Sequence, residues 1–142
     1  MKNIIYALLL VAGGLFLDSC SNDKDTSAPT IEIITPEAND TIKLGSNIDM
    51  KFRFTDDYGI RYYSYDIFHE TPGTVGEFEY FKEINVGGSY VEYEVPHSVY
   101  VPKNYKDSIP TATGNYTLRV IAIDLYGNQN LVDLPLLFES AE

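Results

Sequence analysis

The sequence predicts an all-β protein, a two-sheet antiparallel sandwich of about seven strands. Two features predict this class. Short segments in which apolar and polar residues alternate recur along the chain, and Gly, Pro, Asn or Asp bounds each of them. No amphipathic helical segment of useful length follows the first 19 residues. A series of short, half-buried strands buries its apolar faces when two sheets pack together.

Eight segments carry the strand pattern, the second of them weakly. They are residues 31–34, 41–44, 47–55, 60–68, 77–84, 89–95, 114–124 and 131–138. Pro36 follows the first segment and marks a bend or an edge, because proline cannot donate to a ladder. Residues 96–113 contain three prolines and no steady period. They predict a long connection, a kind of loop that is often functional.

The alternation also predicts which side chains face the core. The inward sets are Ile48, Met50, Phe52 and Phe54; Tyr63, Tyr65 and Ile67; Val91, Tyr93 and Val95; and Tyr116, Leu118, Val120 and Ala122. Aromatic residues on both faces of segment 60–68 predict a central strand whose outer side is partly covered. Tyrosine favours strands, and the chain has 12 Tyr and 7 Phe but no Trp.

Length and charge limit the classes of function. The chain beyond residue 19 is long enough for one domain with a sizeable core, and an apolar content of 44% argues against disorder. The net charge of −11 argues against nucleic-acid binding, because phosphates need Lys and Arg. The same charge disfavours anionic lipid headgroups, so we expect any membrane attachment to depend on acyl chains alone.

The last two predicted strands resemble part of a known domain type. Gly114-Asn115-Tyr116, with alternation into the turn "DLYGN" at residues 124–128, is similar to the last hairpin of bacterial immunoglobulin-like and fibronectin-type domains. The resemblance implies that Tyr116 is a tyrosine-corner residue whose hydroxyl bonds back to the preceding loop. The sequence lacks the core disulfide and Trp of antibody domains, so a true antibody-type domain is excluded.

The only cysteine, Cys20, follows an apolar run at residues 4–17. That run is about the length of a signal-peptide core and shorter than the ~20 residues that a spanning helix needs. Leu17, Asp18, Ser19 and Cys20 resemble a bacterial lipobox, although Asp18 departs from its usual pattern. The resemblance implies cleavage before Cys20 and a diacylglycerol, which carries chains such as palmitate, on its thiol. A secreted protein with an unmodified cysteine is the alternative.

The stretch from Ser21 to Asp25 resembles the acidic export signal of Bacteroidetes-type lipoproteins. It implies an outer-membrane location at the cell surface, with the periplasmic face as the alternative, and a solvated linker also explains it. The expected organisation is a lipoprotein signal peptide at 1–19, a lipidated cysteine and tether at 20–30, and the sandwich at 31–139. The whole resembles small Bacteroidetes lipoproteins with one immunoglobulin-like domain of unknown function.

The sequence does not predict an enzyme. Glu92 and Glu94 share a strand face, as paired glycosidase carboxylates would, but outward strand positions are commonly charged. His69 and Glu70 have no second histidine at zinc-ligand spacing. The sequence contains no nucleophile elbow, phosphate-binding loop or HExxH motif. No cofactor is therefore expected, apart from one candidate cation.

Two acidic turns predict that candidate cation, calcium. Asp56 and Asp57 follow the strand at 47–55, and Asp124 and Asn128 flank the last hairpin turn. In a sandwich of this topology both turns lie at one end, near the first strand and Glu32. Calcium takes about six to eight oxygen ligands and tolerates irregular geometry. Turn chemistry without a metal is the alternative, because Asp and Asn near Gly bond their own backbone.

Two non-catalytic functions stay open. One is a binding module that captures a glycan, a peptide or a partner protein; the other is a structural accessory subunit of an envelope or uptake complex with no soluble ligand. Tyrosine has an apolar face and a polar tip, which suits a contact surface. Clustering on one open surface would favour the binding module for four tyrosines: Tyr90, Tyr100, Tyr105 and Tyr126. Nothing in the sequence identifies the ligand.

Overall fold

The computed structural model describes residues 24–88, 90–105 and 108–141. Throughout this part of the chain the regular structure is β-strand, in ten strands. They are β1 Thr30–Thr35, β2 Asp40–Lys43, β3 Asn47–Thr55, β4 Ile60–His69, β5 Tyr80–Asn85, β6 Glu92–Tyr100, β7 Asn104–Tyr105, β8 Ile109–Pro110, β9 Gly114–Asp124 and β10 Gln129–Glu139. Among these described residues, no helix is long and apolar enough to cross a membrane.

Two sheets pack face to face. The smaller sheet has the strand order β1-β3-β6, and the larger has the order β2-β10-β9-β4-β5. A short ladder of β7 and β8 forms a separate two-stranded sheet. The predicted two-sheet sandwich is therefore confirmed, with eight strands in its two main sheets.

One strand pair differs from the predicted antiparallel arrangement. β2 runs parallel to β10, with Asp40 opposite Leu136 and Lys43 opposite Glu139. The chain leaves the smaller sheet after β1 and joins the edge of the larger sheet in the direction of β10. Period-two alternation could not show this, because parallel and antiparallel ladders both place alternate side chains on one face.

The core lies between the two sheets and uses the faces predicted for β3, β4 and β9. Its largest contributors are Ile48, Met50, Phe52, Phe54, Ile60, Tyr63, Tyr65, Ile67, Tyr116, Leu118, Leu136 and Phe138. Phe54 from the smaller sheet packs on Tyr63 from the larger one, with ring centroids 4.6 Å apart. Full burial of one such apolar side chain contributes roughly 1.5–3 kcal/mol, so this interface between the sheets dominates the stability.

The boundaries of β5 and β6 differ from the predicted ones. β5 begins at Tyr80 rather than at residue 77, and β6 runs to Tyr100 rather than ending at residue 95. Pro96 therefore lies inside a strand, opposite Lys51. This is tolerated because β6 is an edge strand, where a missing N–H group need not break a ladder. Val91 precedes β6 and is 59% exposed, so its predicted inward orientation is wrong.

Tyr116 forms the tyrosine corner that the sequence resemblance implied. Its hydroxyl donates to the carbonyl oxygen of Ala112 at 2.9 Å and accepts a hydrogen bond from the N–H of Phe78 at 3.1 Å. Its ring stacks on Phe138 with centroids 3.9 Å apart, and burial raises the pKa of its hydroxyl. One buried side chain thus joins the connection before β9 and the segment before β5 to the core.

Candidate functional site

Four segments meet at one end of the sandwich, which we call the loop end. They are residues 24–29, 56–59, 86–88 with 90–91, and 125–128. The strand registers bring them together: Thr55 at the end of β3 lies opposite both Thr30 and Glu92, and Ile60 lies opposite Asp124. The segment before β1 therefore lies beside the loops that follow β3, β5 and β9.

Three carboxylates converge at the loop end, and we call Asp25, Asp56 and Asp124 the acid cluster. Each has an oxygen atom within 4.8 Å of the oxygens of the other two. Asp124 is 0% exposed and Asp25 is 7% exposed, whereas Asp56 is half-buried. Within the described ranges, no Lys or Arg forms an ion pair with any of them. Like charges are thus held close together with little solvent.

Local turn bonds position two members of the cluster. Asp56 Oδ1 accepts hydrogen bonds from the N–H groups of Tyr58 and Gly59, both at 2.9 Å. Asp124 Oδ1 accepts from the N–H of Asn128 at 2.8 Å, and its Oδ2 accepts from Asn128 Nδ2 at 2.6 Å. Burial opposes ionisation of Asp124, but the hydrogen bonds from Asn128, with smaller contributions from the Gly127 backbone and the Asp25 side chain, together hold the pKa of this carboxyl below its ordinary value. These bonds are the turn chemistry expected of Asp and Asn.

Asp25 is the member of the cluster that the sequence analysis missed. Its Oδ1 accepts from the N–H of Ser27 at 2.9 Å, and its carbonyl oxygen accepts from Asn128 Nδ2 at 3.2 Å. Asn130 Nδ2 also donates to the carbonyl oxygen of Pro29 at 2.8 Å. The predicted tether at 20–30 therefore includes residues that pack on the sandwich. The two contacts join positions 103 and 101 residues apart, so no local pattern could have predicted them.

The predicted cation site is assembled only in part. The structure keeps three of its residues close together: Asp56, Asp124 and Asn128. Asp57 lies outside the acid cluster and lines an open cleft of about 490 Å³ beside it. Glu32 lies away from the cluster on the smaller sheet, where it accepts a hydrogen bond from Arg53 Nη1 at 2.8 Å. The two neighbouring residues therefore have different surroundings: Asp56 accepts the N–H groups of the turn and belongs to the acid cluster, whereas Asp57 lies outside it.

Exposed apolar side chains from three loops converge at the same end. We call them the tyrosine surface: Tyr58, Tyr90, Val91, Leu125 and Tyr126. Each is between 45% and 59% exposed. The rings of Tyr58 and Tyr126 meet edge to face with centroids 5.1 Å apart. The N–H of Leu125 donates to the carbonyl oxygen of Gly59 at 3.2 Å, and the Tyr90 carbonyl accepts from the first residue of β4 at 3.0 Å.

The four tyrosines singled out from the sequence divide between two ends of the molecule. Tyr90 and Tyr126 belong to the tyrosine surface. Tyr100 ends β6 opposite Asn47, at the far end of the smaller sheet, and Tyr105 lies in β7. Two of these four tyrosines therefore cluster on one open surface, as a binding module would require. Tyr58, which the sequence pattern placed only in a turn, adds a third ring to that surface.

The chain enters the sandwich at the loop end. Cys20, the predicted lipidation site, lies outside the described residues. Asp25 is the first buried residue in the described ranges. A fully extended chain spans about 3.3–3.6 Å per residue, so the segment from Cys20 to Asp25 reaches about 18 Å at most. The tyrosine surface thus lies at the end of the sandwich from which the N-terminal segment leaves.

The carboxylates considered for catalysis are engaged in ion pairs on the outer face of the smaller sheet. Glu94 Oε2 lies 2.8 Å from Arg53 Nη2, and its Oε1 contacts Lys51 Nζ. Hydrogen bonds from Lys51 and then Arg53 lower the pKa of Glu94. Glu92 Oε1 lies 3.9 Å from Arg53 Nε. Glu92 and Glu94 therefore resemble ordinary charged residues on an outward strand face more than a pair of catalytic carboxylates.

The two histidines have structural partners. His69 Nδ1 accepts a hydrogen bond from the N–H of Thr71 at 2.9 Å. His97 Nε2 lies 2.8 Å from the hydroxyl of Tyr63, and burial lowers the pKa of His97. Neither histidine belongs to the acid cluster or to another group of metal-ligating side chains within the described residues.

The strand order β1-β3-β6 against β5-β4-β9-β10, together with the tyrosine corner, defines an immunoglobulin-like β-sandwich of the fibronectin type. Comparison of the sequence with family models then shows the family. Residues 18–136 match a family described as a domain of unknown function, DUF4625, and the chain belongs to this family. No curated protein sequence matches the chain.

Several solved structures align with most of this chain at low sequence identity. The fibronectin(III)-like modules of Clostridium thermocellum CbhA align with a TM-score of 0.47 and 16% identity over 80% of this chain and 48% of that one. A β-glucosidase from Listeria innocua gives 0.47 and 10% over 82% of this chain and 17% of the enzyme. Murine CRIg gives 0.42 and 12% over 82% of this chain and 100% of that one. This chain thus spans about half or less of the two bacterial chains.

Proposed function

We propose that this chain is a lipid-anchored domain of the cell envelope that binds a partner protein through its tyrosine surface and catalyses no reaction. The observation that carries the proposal is the convergence of five exposed apolar side chains at the loop end. The hydrophobic core between the sheets is complete without them. Tyrosine is enriched at the centres of protein interfaces, because it offers a large apolar face and a polar tip at low entropic cost.

The composition of the surface favours a protein partner over a glycan or a short peptide. Val91 and Leu125 are aliphatic and stand beside the tyrosine rings, so the surface is not a flat aromatic platform. The chain also contains no Trp, the side chain with the largest aromatic face. Tyrosine is among the residues that carry most of the binding energy in protein interfaces, and neighbouring contacts such as those of Val91 and Leu125 help by excluding water from them.

The position of the N-terminal segment supports a partner that is itself at the membrane. A lipid on Cys20 would keep the loop end within about 18 Å of the bilayer. Two acyl chains suffice for stable anchoring, and the net charge of −11 opposes direct adhesion to anionic headgroups. A membrane protein or a second lipoprotein therefore fits better than a soluble ligand.

The same geometry supports a second candidate function, a structural accessory subunit of an envelope or uptake complex. Such a subunit would hold its partner constantly and have no soluble ligand. From the resemblance of residues 21–25 to an export signal, we place the domain on the outer membrane at the cell surface, with the periplasmic face as the alternative. Protease treatment of intact cells distinguishes the two faces, because only a surface domain is digested.

Replacing the lipid acceptor should release the protein from the membrane. Cys20→Ala removes the thiol that would carry the acyl chains, and an acidic soluble domain then has nothing to hold it in a bilayer. In detergent phase partitioning of cell extracts, we expect the variant in the aqueous phase and the parent chain in the detergent phase. Ser21→Ala is the control and should stay with the detergent. A Cys20→Ala chain that still partitions with detergent would show that the anchor lies elsewhere.

Removing the two contacting rings of the tyrosine surface should weaken capture of the partner. In affinity purification from detergent-solubilised membranes, we expect Tyr58→Ala with Tyr126→Ala to lower recovery of the partner by at least roughly tenfold, the effect of a lost hot spot. Tyr100→Ala is the matched control, because Tyr100 is also an exposed tyrosine but lies at the far end of β6, and its replacement should leave recovery unchanged.

Three outcomes separate the candidate functions. Equal recovery from the double variant and from Tyr100→Ala would contradict the proposed surface. Glycan-array binding that depends on Tyr58 and Tyr126 would assign the surface to a sugar instead of a protein. Equimolar recovery of one partner, with no soluble ligand bound, would support the accessory-subunit function.

A further inference from the structure

We propose that the acid cluster of Asp25, Asp56 and Asp124 is a calcium site that fastens the segment before β1 to the loop end. This inference goes beyond the proposed function and does not depend on any partner. The three carboxylates come from three separate parts of the chain: the N-terminal segment, the loop after β3 and the end of β9. An ion bound among them would therefore cross-link all three segments.

The first observation is the geometry of the cluster. One oxygen from each carboxylate lies within 4.8 Å of the other two. Calcium–oxygen distances are about 2.3–2.6 Å, so two ligands on opposite sides of one ion lie roughly 5 Å apart. The spacing of the three oxygens therefore matches a shared ion at their centre.

The second observation is independent of the clustering. Asp25 Oδ2 and Asp56 Oδ2 are buried and have no hydrogen-bond partner. The Asp25 residue as a whole is 7% exposed. Buried polar atoms in folded proteins are almost always satisfied, and an unpaired ionised carboxylate is costly to bury. The turn bonds use only Oδ1 of each residue, so a coordination position is left on each side chain.

The unbalanced negative charge of the three carboxylates also indicates a bound cation. Among residues 24–88, 90–105 and 108–141, no Lys or Arg pairs with the cluster, so the three negative charges lack a protein counter-ion. The Asn128 amide donates to both Asp124 Oδ2 and the carbonyl oxygen of Asp25, which orients these two groups toward each other. A divalent ion would neutralise most of the repulsion between carboxylates at this distance.

The donor set selects calcium among common metal ions. All three side chains offer hard oxygen donors, and the cluster includes no His or Cys, which zinc prefers. Magnesium requires near-ideal octahedral geometry, whereas calcium accepts irregular sets of about six to eight oxygens. Water can complete the shell, because Asp56 also lines the open cleft of about 490 Å³ at the loop end.

Calcium should raise the thermal stability of the full chain in detergent, and one charge removal should abolish the rise. With calcium at about 100 times its Kd, we expect the Tm to be about 10 °C higher than with a chelator. Asp25→Asn keeps the size of the side chain but removes a ligand charge, and its Tm should be the same in both conditions. Since this change also relieves repulsion between the carboxylates, the variant should fold without calcium.

Asp57→Asn is the matched control, because Asp57 is the exposed neighbour of Asp56 and lies outside the cluster. This variant should keep the full rise in Tm with calcium.

A second measurement tests the fastening of the N-terminal segment directly. Lys24 is exposed and adjoins Asp25, so lysyl endopeptidase should cleave after it when the segment is released. We expect calcium to slow this cleavage by at least roughly tenfold in the parent chain and in Asp57→Asn, but not in Asp25→Asn.

Several results would overturn the proposal. Identical melting curves with calcium and chelator, together with no heat in a calorimetric titration of calcium chloride, would show that there is no site. An equal rise in Asp25→Asn would exclude Asp25 as a ligand. A rise of the same size with magnesium would contradict the selectivity for calcium, and cleavage after Lys24 at one rate in all conditions would refute the fastening.

Discussion

Phe54→Ala is expected to lower the free energy of unfolding by about 3–5 kcal/mol, the usual cost of removing a buried aromatic ring. Phe54 is fully buried between the sheets, and its ring contacts Tyr63 of the opposite sheet at a centroid distance of 4.6 Å. Neighbouring core side chains such as Phe52 are themselves held in place, so the cavity can collapse only in part. Urea denaturation of the full chain, followed by circular dichroism, measures the loss.

Phe81→Ala is the matched control for this prediction. Phe81 lies in β5 at the edge of the larger sheet and is 67% exposed, so removing its ring exposes little new apolar surface. We expect a change within about 0.5 kcal/mol, as for most surface substitutions. Comparable losses from the two variants would contradict the placement of Phe54 between the sheets.

Gly59→Ala is expected to destabilise the protein by about 2–4 kcal/mol, the second-largest effect. Gly59 has a φ of +104°, a conformation that side chains disfavour, and a Cβ at this position would overlap the carbonyl oxygen of Gly88. The obstacle is main chain and cannot rotate away, so the loops after β3 and β5 would have to separate. Urea denaturation again gives the magnitude.

Gly127→Ala separates the two causes of that loss. Gly127 also has a positive φ, +89°, but no atom lies within 4 Å of a Cβ built on it. Only the conformational cost of about 1–2 kcal/mol should then remain. If Gly59→Ala lowered the free energy of unfolding no more than Gly127→Ala, the close approach of Gly59 to Gly88 would not contribute to the loss.

Local patterns were sufficient to predict the existence of the eight strands in the two main sheets and most of the core, but not β7 and β8, which lie in the connection predicted at residues 96–113. Every residue predicted to face inward in β3, β4 and β9 is buried, because side chains in a strand point to opposite faces in turn. The resemblance of residues 114–128 to the last hairpin of immunoglobulin-like domains implied the corner role of Tyr116, and its corner bond to Ala112 spans only four residues. Each of these features depends on neighbours that are close in sequence.

Features that depend on a strand's place in the sheet were not predictable in the same way. Pro96 argued for a loop, yet β6 accommodates it because the strand lies at an edge. Val91 has the alternation of an inward residue but lies before the start of β6. The direction of β2 beside β10 follows from where the chain crosses between the sheets, which the pattern of β2 alone does not contain.

At the loop end, too, some features follow from local sequence and others from the packing of whole strands. The sequence alone determined that Asp56, Asp124 and Asn128 would form turns, because turn chemistry is a local property, and the expected sandwich topology placed these turns at one end. Only the tertiary structure decided that Asp25 closes the acid cluster and that Tyr58 meets Tyr126. Asp25 reaches the cluster because β1 pairs with β3 and Asn128 binds its carbonyl oxygen from 103 residues away. Such contacts arise from the pairing and packing of whole strands, and no window of the sequence contains both partners.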